Sequence, residues 1–203
     1  MVFGASEFKT NIMVKKFFSA FLLFVSVQIF AQSPKTVLIE HFTNTRCSIC
    51  ASRNPGFYFV LSNYPQVIHI AFHPSAPYSQ CYFSLQNTIE NDDRTYFYNT
   101  YGSTPDFFIN GKFIPNANPA ITNTTIDTAL NQTSPIEISA TEELLEVDSV
   151  KARVVVRTTG NISANEVLLF AGVAQDTVQY SAQNGEQLHH DVFRKALTNV
   201  KGD

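Results

Sequence analysis

Two runs of apolar residues along the chain, 35–42 and 66–72, are continuous rather than alternating in polarity. Both are rich in β-branched residues, a pattern typical of strands that are buried on both faces of a sheet. Between them, Phe57, Val60, Leu61 and Tyr64 recur at the spacing of one helix face. Residues 82–102 have a second amphipathic pattern, which predicts a helix that ends at Gly102. The pattern predicts strand, helix, strand and helix in that order.

The next segment predicts a β-hairpin and one more helix. Residues 104–115 contain a strand, the turn pair Asn110–Gly111 and a return strand, which is a strong hairpin signal. In residues 119–133, apolar positions recur at roughly helical spacing. We therefore predict an α/β domain over residues 32–133, about a hundred residues long and so of ordinary domain size.

The pattern of apolar and polar residues changes after Ser134–Pro135, where strand-like runs replace helical patterns. Turn residues separate four such runs, at 136–147, 149–160, 166–180 and 190–200. Strands at this spacing without a helix are typical of a β-sandwich. We predict a sandwich-like second domain over residues 134–203. Because four strands are few for a sandwich, we expect this domain either to be incomplete or to be small.

The N-terminus carries a targeting pattern. Lys15 and Lys16 precede an apolar run at 17–31, which is short for a membrane span and ends in Ala31, a fitting residue before a cleavage site. We predict a signal-peptide region at 1–31 with translation starting at Met13; the alternative is an uncleaved N-terminal anchor. Export would place the mature chain in an oxidising compartment, where disulfides persist.

The amino-acid composition and charge argue against one class of binding partner, nucleic acids. The 203 residues are 44% hydrophobic and 15% charged, which indicates a folded protein, and the net charge of −3 includes no basic block. We therefore expect no nucleic-acid partner. No motif for a cofactor is present, and we expect none.

The candidate chemistry lies in a Cys-x-x-Cys motif, Cys47 and Cys50. A zinc site is disfavoured because it normally needs four Cys or His ligands, usually with a second close pair. Cys81 stands alone, and His69 and His73, although they share a strand face, are four residues apart, which is about 13 Å along a strand. We predict no metal site.

Two interpretations of the cysteine pair remain open. At a junction between a strand and a helix, the sulfur of Cys47 would meet unpaired backbone N–H groups and the positive end of the helix dipole, which favour a thiolate. Cys47 would then be the attacking thiol and Cys50, less exposed, the resolving thiol. Alternatively, the pair is a permanent disulfide that only closes a turn.

The segment from about Lys35 to Thr133 resembles a thioredoxin fold. Phe42 stands five residues before Cys47 and Pro55 five residues after Cys50, as an aromatic residue and a helix-kinking proline do in thioredoxins. The run "STPDFFINGKF" is similar to the segment that a cis-proline opens. The resemblance implies a cis bond between Thr104 and Pro105 facing the cysteines, with the backbone of Thr104 pairing with a bound peptide.

A closer resemblance covers nearly all of the mature chain. The runs "LIEHFTNTRCSIC", "YGSTPDFFING" and "HHDVFRKALTNVKG", behind a signal peptide, resemble the twenty-eight-kilodalton outer-membrane protein family of Gram-negative bacteria. That family joins a thioredoxin-like domain to a β-sandwich-like region, and the resemblance implies association with the outer membrane.

The chain departs from thioredoxins at two positions. The buried acid that thioredoxins carry six residues before the first cysteine is replaced by His41, while strand alternation sends the adjacent Glu40 to the opposite face. Arg46 replaces the tryptophan that precedes the first cysteine. We identify His41, Arg46 and His73, which follows the second strand, as candidate tuning residues for the thiolate.

Two functions follow from these alternatives. In the first, the chain carries out thiol–disulfide exchange on protein or peptide substrates, with Cys47 and Cys50 as the catalytic pair. In the second, it is a non-catalytic envelope or surface binding module with a structural disulfide, since a fold does not by itself confer activity. We expect the third cysteine, Cys81, to be a buried small apolar residue, with a role as a further reactive thiol as the alternative.

Overall fold

The computed structural model describes residues 32–115, 119–147, 149–162 and 167–203, so the predicted signal-peptide region lies outside the described residues. The helices are α1 Ser48–Leu61, α2 Tyr82–Gln86, α3 Thr88–Phe97 and α4 Asn123–Leu130. The strands are β1 Ser33–Pro34, β2 Leu38–Phe42, β3 Ile68–Phe72, β4 Asp106–Ile109, β5 Lys112–Ile114, β6 Thr133–Ser134, β7 Ile136–Glu146, β8 Ser149–Thr158, β9 Gly172–Gln179 and β10 Leu188–Ala196.

A six-stranded mixed sheet forms the centre, in the order β5-β4-β2-β3-β10-β9. The two continuous apolar runs are strands, as the sequence predicts, and they pair with each other in parallel as β2 and β3. Strand β4 is antiparallel to β2 and forms the predicted hairpin with β5. The turn residues Asn110 and Gly111 have φ of 50° and 76°, a left-handed backbone that Asn and Gly adopt most readily.

Apolar side chains are buried on both faces of this sheet, which explains the unbroken apolar runs. On one face, Ile39 and Phe107 of the sheet pack with Phe57 of α1 and Ile126 of α4. The other face holds a second cluster of aromatic and small residues: Phe42, Phe72, Phe108, Phe193, Ala196 and Val200. Helix α1 is thereby fixed over the first face, with its N-terminus beyond the end of β2.

The single helix predicted over residues 82–102 is wrong in detail, because the structure has two helices that meet at Asn87. This residue has φ of −158° and ψ of 68°, which is not helical. Its side chain accepts a hydrogen bond from the backbone N–H of Glu90 and donates one to the carbonyl oxygen of Arg194 in β10. The cap of α3 and this contact with β10 stabilise the break.

The four C-terminal strands do not form the predicted β-sandwich. Among the described residues, strands β7 and β8 pair only with each other, whereas β9 and β10 extend the central sheet through parallel pairing of β10 with β3. Phe193 of β10 is 2% exposed, and its ring centroid lies 4.6 Å from that of Phe72. Burial of such side chains favours addition to the existing sheet. Residues on both sides of the predicted boundary at 133/134 thus contribute to one sheet.

Strands β7 and β8 form an amphipathic hairpin. Ile138 faces Val156 and Leu144 faces Val150 across it, while Glu137 faces Arg157 on the other side. Ile138 and Leu144 are 61% and 71% exposed.

No helix in the described ranges 32–115, 119–147, 149–162 and 167–203 combines the length and apolar character that crossing a membrane requires.

Candidate functional site

Cys47 and Cys50 form a disulfide at the N-terminus of α1, with Cα atoms 5.2 Å apart. Cys47 is the N-cap residue of the helix, and its Sγ accepts a hydrogen bond from the backbone N–H of Cys50 at 3.0 Å. The sequence prediction that the first sulfur lies at a helix N-terminus is confirmed. Helix N-termini present unpaired N–H groups and a partial positive charge, so a thiolate formed there by reduction is stabilised.

The disulfide contacts the segment that opens β4. The Sγ of Cys47 lies 3.6 Å from the carbonyl oxygen of Thr104, and the Thr104–Pro105 peptide bond is cis. Four of the predicted site residues are therefore in one place: both cysteines, Thr104 and Pro105. The hydroxyl of Thr104 is buried and makes no hydrogen bond within the described residues.

Both cysteines are buried. Cys47 is 2% exposed and Cys50 is 0% exposed. From the sequence we expect Cys50 to be less exposed than Cys47, and the structure shows only a small difference in that direction. Their neighbours are open to solvent: Arg46 and Ser48 are exposed, and the Ile49 side chain is 53% exposed. These three residues form the exposed rim of the motif, next to the buried Cys47.

The cysteine loop, residues 43–47, is anchored to the segment that precedes α2. Asn44 is fully buried and donates from Nδ2 to the carbonyl oxygens of Pro74 and Tyr78, while its Oδ1 accepts from the backbone N–H of Arg46. The Nε of Arg46 donates to the carbonyl oxygen of Gln80 at 2.9 Å. Arg46 thus precedes Cys47 in the loop, and its guanidinium is held by the segment that leads into α2.

Cys81 is buried with 0% exposure, as expected, and it also contacts the cysteine loop. Its Sγ accepts hydrogen bonds from the backbone N–H and the hydroxyl of Thr45, at 3.4 and 3.2 Å. The Thr45 hydroxyl in turn accepts from the backbone N–H of Tyr82 at the start of α2. Cys81 is therefore a packing and hydrogen-bonding residue whose partner, Thr45, lies two positions before Cys47 in the sequence.

The turn between β9 and β10, residues 180–187, anchors the other side of the cysteine loop. Asn184 donates from its backbone N–H to the carbonyl oxygen of Thr45 and from Nδ2 to that of Cys47, both at 3.1 Å. Glu186 accepts from Asn54 of α1 at 2.7 Å. Sequence analysis identified none of these three residues. The Asn184–Gly185 pair signals a turn, but nothing local indicates where that turn docks.

His41 lies on the face of the sheet that contacts α1. Its ring stacks on Phe107 with centroids 4.4 Å apart and meets Phe57 of α1 edge-on at 5.2 Å. Burial holds the pKa of His41 well below its ordinary value of 6.5, and His69 and His73 lower it further, while Asn54 opposes the shift. His41 is therefore neutral near pH 7 and supplies no positive charge to a thiolate.

His73 is buried against α2. Its ring centroid lies 4.8 Å from that of Phe83, and its backbone N–H donates to Oδ1 of Asn91. Burial, with the neighbouring His189 as the next cause, lowers the pKa of His73 to about 3. The structure shows packing for this residue, and none of its described contacts reaches either cysteine.

Glu40 faces away from His41, as strand alternation predicts. It is 1% exposed and forms a buried ion pair with Arg94 of α3, at 2.8 Å from Nε and 2.7 Å from Nη2. Tyr98 also donates its hydroxyl to the same carboxylate. This carboxylate is thus engaged on the far face of the sheet and belongs to the packing of α3.

No cluster of three His, Cys, Asp or Glu side chains arranged to hold a metal ion occurs within the part of the chain that the structure describes. The arrangement that remains is a disulfide at a helix N-terminus, beside the carbonyl group of Thr104. Such a pair can accept two electrons from a dithiol, or donate two to a disulfide when reduced.

Comparison with known proteins supports the fold. No family model matches the chain, and no curated protein matches it. Among solved structures, HBP35 of Porphyromonas gingivalis matches with a TM-score of 0.69 at 20% sequence identity, over 84% of this chain and 59% of that one. The chain thus spans about three fifths of that neighbour. The likeness shows the fold alone: a mixed α/β arrangement consistent with a thioredoxin-like domain plus a β-rich region.

Proposed function

We propose that the chain carries out thiol–disulfide exchange on protein or peptide substrates through Cys47 and Cys50. The observation that carries the proposal is the placement of the Cys47 sulfur, which caps α1 and lies 3.6 Å from the carbonyl oxygen of Thr104. Helix capping stabilises the thiolate that exchange requires.

In the reduced protein, the Cys47 thiolate attacks a substrate disulfide. The substrate S–S bond breaks, a mixed disulfide forms, and one substrate thiolate leaves. The Cys50 thiolate then attacks the Cys47 sulfur, which releases the second substrate thiolate and forms the Cys47–Cys50 bond. The substrate gains two electrons and the protein loses two, and the reverse sequence oxidises a substrate dithiol.

The neighbouring groups support substrate docking at the same place. The resemblance to thioredoxins implies that the backbone of Thr104 pairs with an extended substrate beside Pro105. Ile49, 53% exposed between the two cysteines, offers an apolar contact on the rim. Because Cys47 is 2% exposed, a substrate must displace part of the rim before the sulfurs align.

The same burial favours the second candidate function, a binding module with a permanent disulfide. Cys47 and Cys50 are both enclosed, and enclosed disulfides resist exchange because a thiolate must reach one of the sulfurs. In this case Cys47–Cys50 would stabilise the start of α1 and take no part in chemistry.

Trapping separates the two functions. In the full mature chain, Cys50→Ala removes the resolving thiol, so an active Cys47 accumulates mixed disulfides that dithiothreitol releases. We expect such complexes from Cys50→Ala and none from the matched control Cys47→Ala. Both variants are also made with Cys81→Ala, which removes the third thiol. Equal yields from the two variants, or none from either, support the binding module.

We also propose that the chain is exported and belongs to the twenty-eight-kilodalton outer-membrane protein family, acting in the periplasm, at the outer membrane or outside the cell. The support is the basic pair Lys15–Lys16, the apolar run at 17–31 and the motifs quoted above. N-terminal sequencing of the protein recovered from cell-envelope fractions tests this directly, with Gln32 expected as the first residue. Recovery from the cytoplasm with Met13 retained contradicts it.

A further inference from the structure

The β9–β10 turn holds the backbone of the cysteine loop through one residue, Asn184. The Nδ2 of Asn184 donates to the carbonyl oxygen of Cys47 at 3.1 Å and to that of Asn44 at 3.2 Å. Its backbone N–H donates to the carbonyl oxygen of Thr45 at 3.1 Å. Three carbonyl groups of the segment that leads into α1 are therefore engaged by a single residue that lies 137 positions after Cys47.

The same turn places a carboxylate beside the first turns of α1. Glu186 accepts from Nδ2 of Asn184 at 2.6 Å and from Nδ2 of Asn54 at 2.7 Å, and its own backbone N–H donates to Oδ1 of Asn184. Asn54 is 1% exposed and stands one helical turn after Cys50. Glu186 is partly buried, so its charge is only partly screened by solvent.

The separation between this carboxylate and the cysteine loop is short. Because Asn184 Nδ2 contacts both Glu186 Oε2 and the carbonyl oxygen of Cys47, these two oxygens lie within about 6 Å of each other. A negative charge there opposes the formation of a second negative charge on Cys47, whereas the helix N-terminus favours it. The guanidinium of Arg46 is engaged by Gln80 on the other side of the loop.

We propose that Glu186 and Asn184 are positioning residues of the Cys47–Cys50 pair, with Glu186 disfavouring the Cys47 thiolate and so favouring the oxidised form. The inference deepens the proposed function, on which it rests. It also makes the C-terminal hairpin β9–β10 part of the redox site.

The test uses the full mature chain with three substitutions. Glu186→Gln keeps the shape and removes the charge; Asn184→Ala removes both side-chain contacts to the loop. The matched control is Gln187→Ala, whose side chain makes its described hydrogen bonds within the turn, to Gly185 and Ser181. Each variant is equilibrated with dithiothreitol or glutathione at pH 7, and the ratio of dithiol to disulfide at Cys47–Cys50 is measured.

For Glu186→Gln we expect the equilibrium to shift toward the dithiol by about three- to tenfold, or about 15–30 mV for a two-electron couple. In a Cys50→Ala background, the pH profile of Cys47 alkylation moves to lower pH. Gln187→Ala changes the equilibrium less than about twofold, a change within the noise of a surface substitution. A loss of thermal stability without either shift would indicate a merely structural role and overturn the proposal.

Failure of this inference is distinguishable from failure of the proposed function. If the Cys47–Cys50 disulfide is structural, trapping fails, but its equilibrium with dithiothreitol still responds to Glu186→Gln. If Cys50→Ala traps substrates while Glu186→Gln leaves both the equilibrium and the alkylation profile unchanged, exchange stands and the role assigned to Glu186 is wrong.

Discussion

We predict that the protein loses stability in mild acid because two of its histidines, His41 and His73, are buried. The pKa of His73 is lowered to about 3 in the folded protein by burial, whereas in the unfolded chain it takes the ordinary value near 6.5. Above pH ~6.5 the ring is neutral in both states. As the pH falls below that value, the unfolded chain binds a proton that the folded protein excludes, so the free energy of unfolding decreases until the folded pKa is reached.

The magnitude follows from linkage. Between pH 7 and pH 5, a histidine that stays neutral when folded costs about 2 kcal/mol of stability. Burial also holds the pKa of His41 well below 6.5, so this ring adds a loss of the same sign. The loss from His73 alone is a substantial part of the 5–15 kcal/mol that is typical of a folded domain.

Urea unfolding followed by circular dichroism at pH 7 and pH 5 measures this loss. His73→Gln carries no titratable ring, so we expect the difference between the two pH values to shrink by about 2 kcal/mol relative to the unsubstituted chain. His190→Gln is the control, because that ring is only partly buried. The reasoning is refuted if His73→Gln and the unsubstituted chain lose the same free energy between pH 7 and pH 5.

Three further outcomes are expected. Arg94→Met leaves the carboxylate of Glu40 buried without its cation, and we expect chemical denaturation to show a loss of about 3–5 kcal/mol; restoration by Glu40→Gln in the same chain supports the ion-pair explanation. Cys81 is fully buried, so a thiol reagent should label it only on unfolding, and labelling of the native protein at the rate of a free thiol would contradict the structure. Phe193→Ala should cost about 3–5 kcal/mol because it empties a core site, whereas Leu144→Ser, at a 71% exposed position, should change stability by about 0.5 kcal/mol or less.

The first half of the chain was predictable because its signals are local. The parallel strands β2 and β3 come from continuous apolar runs, and the β4–β5 hairpin comes from Asn110–Gly111. The break at Asn87 was missed although the cap that it makes with Glu90 is a local signal. The second contact that stabilises the break, a hydrogen bond to Arg194, joins residues more than a hundred positions apart in sequence. Periodicity within one segment carries no record of such a partner.

The pairing of the C-terminal strands also depends on residues that are distant in sequence, so it could not be predicted locally. Their existence follows from composition, but the pairing of β10 with β3 depends on the fit of Phe193 against Phe72, which no local pattern encodes. Only part of the candidate site could be predicted from the sequence, for the same reason. Cys47 and Cys50 are visible as a motif, while Asn184 and Glu186 join them only through the folded sheet.

The reduction potential of the Cys47–Cys50 pair tests the central claim most directly. It is measured on the full mature chain by equilibration with glutathione, with quantification of the dithiol and disulfide forms. If the capped sulfur of Cys47 exchanges with substrates, we predict a potential between about −120 and −270 mV, the range of known exchange proteins. A potential below about −300 mV, which is typical of structural disulfides, would contradict the account.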